Sequence, residues 1–441
     1  MKIRFLAICS VLILIISGCS GKKASGGGSG SGAVGGDPWS GPKVDLTMMV
    51  FPATANYDTI NQKFLEKFPE VAGKVNISVV LGGAGDGDIA QKMRLSMASG
   101  EPMADLIRLN YTQLPEFGEA DILENLDPYI SQYESNIIDA AKQVLRYKGK
   151  YIAFPREIKP KVWFYRADIF EECGVDPRAV KNLDDFIAAG KKIQQKYPKA
   201  YMENYNPPMP NYDLMMRLAG NGGRFCDENG NYIIASNPQV KATFEEFKKI
   251  RESGINSTLV EWSADWAPGF NDGELVSQLM GGWFKTDFMN FKLESQRGKW
   301  AIAPWPEAMR EGSDAGGGIW VIPNTSKNKE VAANYMAKLS FDNEAAKIIF
   351  NVTGIIPPLE SAKTDPYFNS EHDYYKGSLG PVNFEAMEYL KVYPFTPASS
   401  QEVTIALQYL NEYLLGNMTI DQALLAAQND MINQIGNPYK Q

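Results

Sequence analysis

The sequence predicts an α/β fold in one compact, two-lobed body, and three observations carry that expectation. Short apolar runs at residues 44–51, 75–81 and 104–109 alternate with stretches of helical periodicity. That alternation calls for parallel strands joined by crossover helices. A glycine-rich turn, Gly82-Gly83-Ala84-Gly85-Asp86-Gly87, follows the second run, at the carboxyl end of a strand where open α/β sheets receive ligands. Beyond the first 43 of the 441 residues, no internal repeat and no second linker breaks the chain.

Taken in order, the chain opens with an export signal. Lys2 and Arg4 precede an apolar run at 5–16 that is too short to span a bilayer. Ile16-Ser17-Gly18-Cys19 matches a bacterial lipoprotein box, which makes residues 1–18 a cleaved signal peptide and Cys19 the lipidated residue. Residues 19–43, rich in glycine and serine, cannot bury a core and are expected to act as a flexible tether. Ile60, Phe64 and Phe68 share one face of a helix over 56–68, and a second helix is expected over 88–98. Residues 147–155 suggest a hairpin and 162–165 a strand, followed by helices over 184–197 and 238–253. In the last, Asn237 caps and Pro238 takes the first position. A strand over 317–323 returns before helices over 329–339, 343–351, 384–390, 402–414 and 420–435, the last capped by Thr419.

Composition removes several functions. Net charge is −8 and no basic run is visible, so nucleic acid is not an expected partner. His372 is the only histidine, which removes supported His triads and most zinc sites, and no metal or cofactor is expected. Cys173 and Cys226 are bridged or free; the sequence leaves both open. The glycine-rich turn lacks the Lys-Ser/Thr of a nucleotide loop, and Asp86 and Asp88 would repel a phosphate. Asp227-Glu228-Asn229-Gly230-Asn231 lacks the closing glutamate of a calcium loop and is expected to be a hairpin turn.

Several segments together resemble the extracellular solute-binding proteins, family 1, of ABC-type carbohydrate importers. These are Ala104-Asp105-Leu106-Ile107 with the stretch from Leu123 to Ile130, and the 147–155 hairpin. Trp163-Phe164-Tyr165-Arg166-Ala167-Asp168 leading to Cys173-Gly174-Val175-Asp176-Pro177, and Met280-Gly281-Gly282-Trp283, complete the set. The resemblance implies a type II periplasmic-binding-protein-like fold with a cleft between lobes joined by a multi-crossing hinge. Residues 44–157 plus about 319–361 would form the first lobe, and 158–318 plus about 362–441 the second. It also implies a binding protein rather than an enzyme. A monomer, moored to the outer face of the cytoplasmic membrane through Cys19, would deliver a carbohydrate to permease subunits.

Six of the eight tryptophans lie between 261 and 323, a density suited to a core or to stacking on sugar faces. Trp283 matches the family position of a stacking ring. Trp305, Tyr212, Trp262 and Trp266, with Asp265 and Asp314, are further candidates from the second lobe. From the first lobe come Phe51, Gly83, Asp86 and Asn110, at the carboxyl ends of expected strands. Arg156, beside the hinge, suits a hydroxyl, a ligand carboxylate or an interlobe ion pair. Trp163, Trp300 and Trp320 are expected to pack. The competing functions are a surface glycosidase, the same fold holding a peptide, polyamine or iron chelate, and an adhesion or sensor lipoprotein.

Overall fold

The computed structural model describes residues 37–52, 56–291, 293–312 and 317–440. The expected signal peptide and Cys19 lie outside the described residues. In chain order the strands are β1 (Val44–Val50), β2 (Val75–Leu81), β3 (Leu106–Asn110), β4 (Arg146–Tyr147) and β5 (Lys150–Tyr151). They continue with β6 (Phe154–Pro155), β7 (Lys161–Arg166), β8 (Ser277–Gly281), β9 (Trp300–Pro304) and β10 (Gly318–Val321).

A first sheet has the order β2-β1-β3-β10-β6. The three N-terminal strands pair in parallel, as the strand–helix alternation requires, with β1 in register against β2 from Val44↔Val75 to Val50↔Leu81. Leu46, Met48 and Val50 alternate into the core, where they meet Ile60 and Phe64 of the helix Tyr57–Lys67. The later strands β10 and β6 add in antiparallel fashion, which lets the chain return to this sheet from elsewhere. Trp320 on β10 is 1 % exposed and meets Tyr57 edge-on at 4.8 Å.

The second sheet, β8-β7-β9, is antiparallel throughout and has its own core. Trp163 and Trp300 sit in it, as packing residues. A third core joins the helices Asn211–Gly220, Pro238–Glu252, Ser399–Leu415 and Ile420–Gln434. The helix Gly380–Glu388 bridges the first two cores, contributing Phe384 and Met387 to one and Ala386 to the other.

Local chemistry ends these elements where expected. The Asn237 side chain accepts from Gln239 N at 2.9 Å, and Thr419 and Gln422 form a reciprocal capping box. Asp227 Oδ1 accepts from the backbone of Asn229 and Asn231, both at 2.9 Å, so this loop is the expected turn. Cys173 and Cys226 are free thiols. The expected hairpin over 147–155 divides: β4 and β5 form it, whereas β6 leaves to join the first sheet. The strands β8 and β9 and the helix Asn211–Gly220 were not expected. Ser277 and Gln278 give β8 a polar look, yet both are fully buried. Among the described residues no helix is long and apolar enough to cross a membrane.

Trp320→Ala empties the space between β10 and Tyr57. The expected cost is about 3–5 kcal/mol, read as a lower denaturant midpoint at unchanged slope.

Candidate functional site

The chain passes from the first sheet to the second through residues 156–160, and the site forms around that passage. Arg156 N and Glu157 N both donate to Gly318 O, at 3.0 and 3.1 Å. The β10 backbone approaches so closely here that a Cβ on Gly318 would lie 2.7 Å from Arg156 Cδ. At the far end of the passage Gly282 N donates to Pro160 O at 2.7 Å. A Cβ on Gly282 would meet Asn383 Oδ1 at 2.7 Å. The glycine therefore lets the chain leaving β8 press against the passage and project Trp283 beside it.

Trp283 and Lys159 stand between two adjoining sections of a cleft, and both residues line each section. The larger section, about 670 Å³, runs between Asp86, Asn110 and Gln113 on one side and Tyr212 and the helix Ser399–Leu415 on the other. That helix presents Ser400, Thr404, Gln408 and Asn411, a row of hydrogen-bonding side chains. The smaller section, about 270 Å³, is lined by Phe51, Arg108, Arg156, Glu157, Lys285 and Asp287 among others. The larger section lies well inside the range of small-molecule sites, and the smaller falls just below it.

The wall at Trp283 is a braced aromatic group. Tyr212 meets Trp283 edge-on at 5.2 Å, and Trp262 lies nearly parallel to Trp283 at 6.1 Å. Trp262 Nε1 donates to Tyr212 Oη at 2.7 Å, and Tyr212 Oη donates to Glu261 Oε2 at 2.5 Å. Glu261 Oε1 in turn accepts from Gln278 Nε2 of β8 at 3.1 Å, so the rings are tied to the second sheet. Trp262 holds φ = 61°, a left-handed conformation unusual for a bulky residue, and its ring is 48 % exposed.

Beneath these rings lie three buried carboxyl groups, Glu203, Asp213 and Glu261. Burial pushes all three above the usual carboxylate range; Leu279 N, donating to Glu203 at 2.5 Å, and Arg217 pull the other way. On the opposite side Asp86 pairs with the buried Arg108 guanidinium, and Arg108 Nη2 lies 3.9 Å from Glu157. Arg156 pairs with Glu157 and faces the Tyr57 ring at 5.6 Å. Burial pushes Glu157 up, but the Arg156, Lys159 and Arg108 charges outweigh it and hold the carboxyl at about 2.

The structure therefore brings Phe51, Asp86, Asn110, Arg156, Tyr212 and Trp283 to one cleft, with Trp262 bracing the last two. Asn110 Oδ1 is engaged in capping, accepting from Thr112 N at 3.1 Å. Other candidates fall elsewhere. Trp305 is 1 % exposed; its Nε1 donates to Val162 O at 3.0 Å and its ring faces Lys161 Nζ at 4.6 Å, so it is a core residue rather than a cleft wall. Trp266, also 1 % exposed, packs on Phe270 and Phe284. Asp265 is exposed at the start of a short helix and lines neither section, and Gly83 (φ = 142°) serves the turn that Asp88 closes by accepting from Ala84 N at 2.6 Å. Asp314 lies outside the described residues. Lys285, Asp287, Arg108, Lys159 and the polar face of Ser399–Leu415 were not expected as cleft residues. Among the described residues no group of three His, Cys, Asp or Glu side chains is placed to hold a metal.

Known proteins share this fold. A family profile described as bacterial extracellular solute-binding protein matches residues 62–374. The arabinooligosaccharide-binding protein of Bacillus subtilis (strain 168) is 25% identical over 397 residues, 86% of each chain. Among solved structures, the ABC transporter associated binding protein of B. animalis subsp. lactis Bl-04, in complex with beta-1,6-galactobiose, superposes with TM-score 0.70 at 22% identity. The match covers 88% of this chain and 97% of that one. The galacto-N-biose/lacto-N-biose I-binding protein of Bifidobacterium longum, in complex with lacto-N-biose, gives TM-score 0.73 at 18% identity, covering 90% and 98%. The common architecture is the type II periplasmic-binding-protein fold.

Because the fold holds the three carboxyl groups protonated more readily than the unfolded chain does, they favour folding below the ordinary carboxylate pKa. That contribution is lost as pH rises through their raised values. Thermal unfolding should therefore show a Tm that declines from pH 5 to pH 8, and Glu261→Gln should flatten the decline. An unaltered pH profile in the variant would remove Glu261 from this account.

Proposed function

The chain belongs to the bacterial extracellular solute-binding proteins, and from that premise we propose that it captures a sugar or oligosaccharide in the cleft and delivers it to an ABC transporter permease. One observation carries the sugar reading: the partly buried ring of Trp283, braced by Tyr212 and Trp262, borders a section lined with hydroxyl and carboxamide side chains. An aromatic face takes the C–H surface of a pyranose, while the serine, threonine, glutamine and asparagine groups of Ser399–Leu415 suit its hydroxyls. The relatives and neighbours described above carry saccharide ligands in their names, which supports the same reading. Members of this family bind solutes and are not enzymes, so a glycosidase is not proposed.

In this reading the first lobe comprises 44–157 plus about 319–361 and the second 158–318 plus about 362–441, closing about the 156–160 passage. Phe51, Asp86, Asn110 and Arg156 would meet the solute from the first lobe, and Trp283 and Tyr212 from the second. A lipid on Cys19 would hold a monomer at the outer face of the cytoplasmic membrane, with residues 20–36 as its tether. Residues 37–43, expected as tether too, instead belong to the body, where Trp39 packs on the first core and Ser40 O accepts from Lys74 Nζ at 2.6 Å.

A thermal-shift screen over mono- and oligosaccharides, with arabinooligosaccharides and galactobiose included, tests the proposal. A ligand at 100 times its Kd adds about 2.7 kcal/mol to folding stability. If no saccharide raises Tm, the sugar reading fails. For the ligand found, Trp283→Ala should weaken calorimetric affinity at least tenfold with little loss of stability; unchanged affinity would discard Trp283 as the stacking ring.

A further inference from the structure

The smaller section of the cleft holds more positive charge than its own carboxylates offset. Arg108, Arg156, Lys159 and Lys285 line it, against Glu157 and Asp287. Glu157 is already shared among Arg156, Lys159 at 3.3 Å and Arg108 at 3.9 Å. Asp287 is drawn to Lys159. Asp86 offsets part of the Arg108 charge from the larger section.

Lys285 is left over. It is 6 % exposed, it lines the section, and its ammonium forms no hydrogen bond or ion pair with any described residue. Burial pulls its pKa down to about 8, with only the more distant Glu157 pulling it back up. A buried, unpaired ammonium is strongly unfavourable, and proteins that keep one generally use it. Arg156 Nε, also buried, is likewise without an acceptor. A lysine and an arginine that both line one space of about 270 Å³ suit a small oxyanion, because charge-assisted hydrogen bonds to carboxylate or sulfate are the strong ones. Trp283 walls this section as well as the larger one, so a ring stacked there places a substituent beside Lys285.

We propose that the solute is an acidic saccharide, whose carboxylate or sulfate group occupies the smaller section against Lys285 and Arg156. The inference rests on the sugar reading above and narrows its substrate class. It separates this chain from relatives named for arabinooligosaccharides, which carry no charge.

The test is calorimetric titration of the full chain with three sets of probes matched in length. These are neutral arabinooligosaccharides and galactobiose, galacturonate oligosaccharides, and sulfated galactose disaccharides. Either acidic set should bind at least tenfold more tightly than the neutral set, and added salt should erode the difference. Which acidic set binds better distinguishes carboxylate from sulfate. Lys285→Met, which removes a buried charge at nearly constant length, should fold with unchanged circular dichroism and cut the acidic-over-neutral ratio at least tenfold; Lys285→Gln should do the same. Neutral saccharides binding as tightly as acidic ones, or a ratio unchanged in both variants, would overturn the inference and leave the sugar reading standing. No binding by any saccharide would overturn both.

Discussion

One carboxylate organises the middle of this molecule. Glu157 sits in the passage between the sheets, buried, and serves Arg156, Lys159 and Arg108 at once. Charges taken out of water are tolerable only when paired and hydrogen-bonded, and three cations at one crossing need a common partner. Arg108 comes from the central strand β3 and Arg156 from the end of β6, while Lys159 leads into β7. The carboxylate thereby fixes the spacing of the first sheet, the passage and the approach to the second sheet. Removing the shared carboxylate would leave three cations uncompensated, so the arrangement depends on it.

The backbone enforces the same geometry from the other side. Gly318 and Gly282 each stand where a side chain would collide with the passage or with Asn383. Close approach at both ends keeps the crossing short and brings the carboxyl ends of β1 and β3 opposite Trp283. The cleft is thus a consequence of how tightly two sheets are sewn together. Its two sections differ in chemistry because different elements supply them. The polar helix Ser399–Leu415 faces the larger, and the charges of the crossing line the smaller.

Much of the fold was legible in residue patterns. The parallel strands β1 to β3, the caps at Asn237 and Thr419 and the Asn229-Gly230 turn follow from periodicity and local hydrogen bonding. The strands β8 and β9 were not legible, because Ser277 and Gln278 are polar yet buried, and because Trp300-Ala301-Ile302-Ala303-Pro304 is too short to show a period. The cleft was legible in part. Trp283 and Tyr212 were named, but residue type alone does not separate Trp262, exposed, from Trp266, buried only four positions later. Trp305 stands between two prolines, Pro304 and Pro306, yet its indole is held in the core by Val162 O. The polar face of Ser399–Leu415 reads as an ordinary solvated helix until the larger section is seen beside it. Lys285 carried no signal at all, since burial without a partner is a property of the packing.

The uneven burial of the indoles has a spectroscopic consequence. Trp163, Trp266, Trp300, Trp305 and Trp320 are shielded from solvent, whereas Trp262 and Trp283 lie nearly parallel at the cleft and Trp39 is partly open. The shielded five contribute a steady, blue-shifted background to intrinsic emission. A molecule seated on Trp283 changes the polarity around the pair at the cleft, so the unlabelled protein carries its own optical reporter of occupancy.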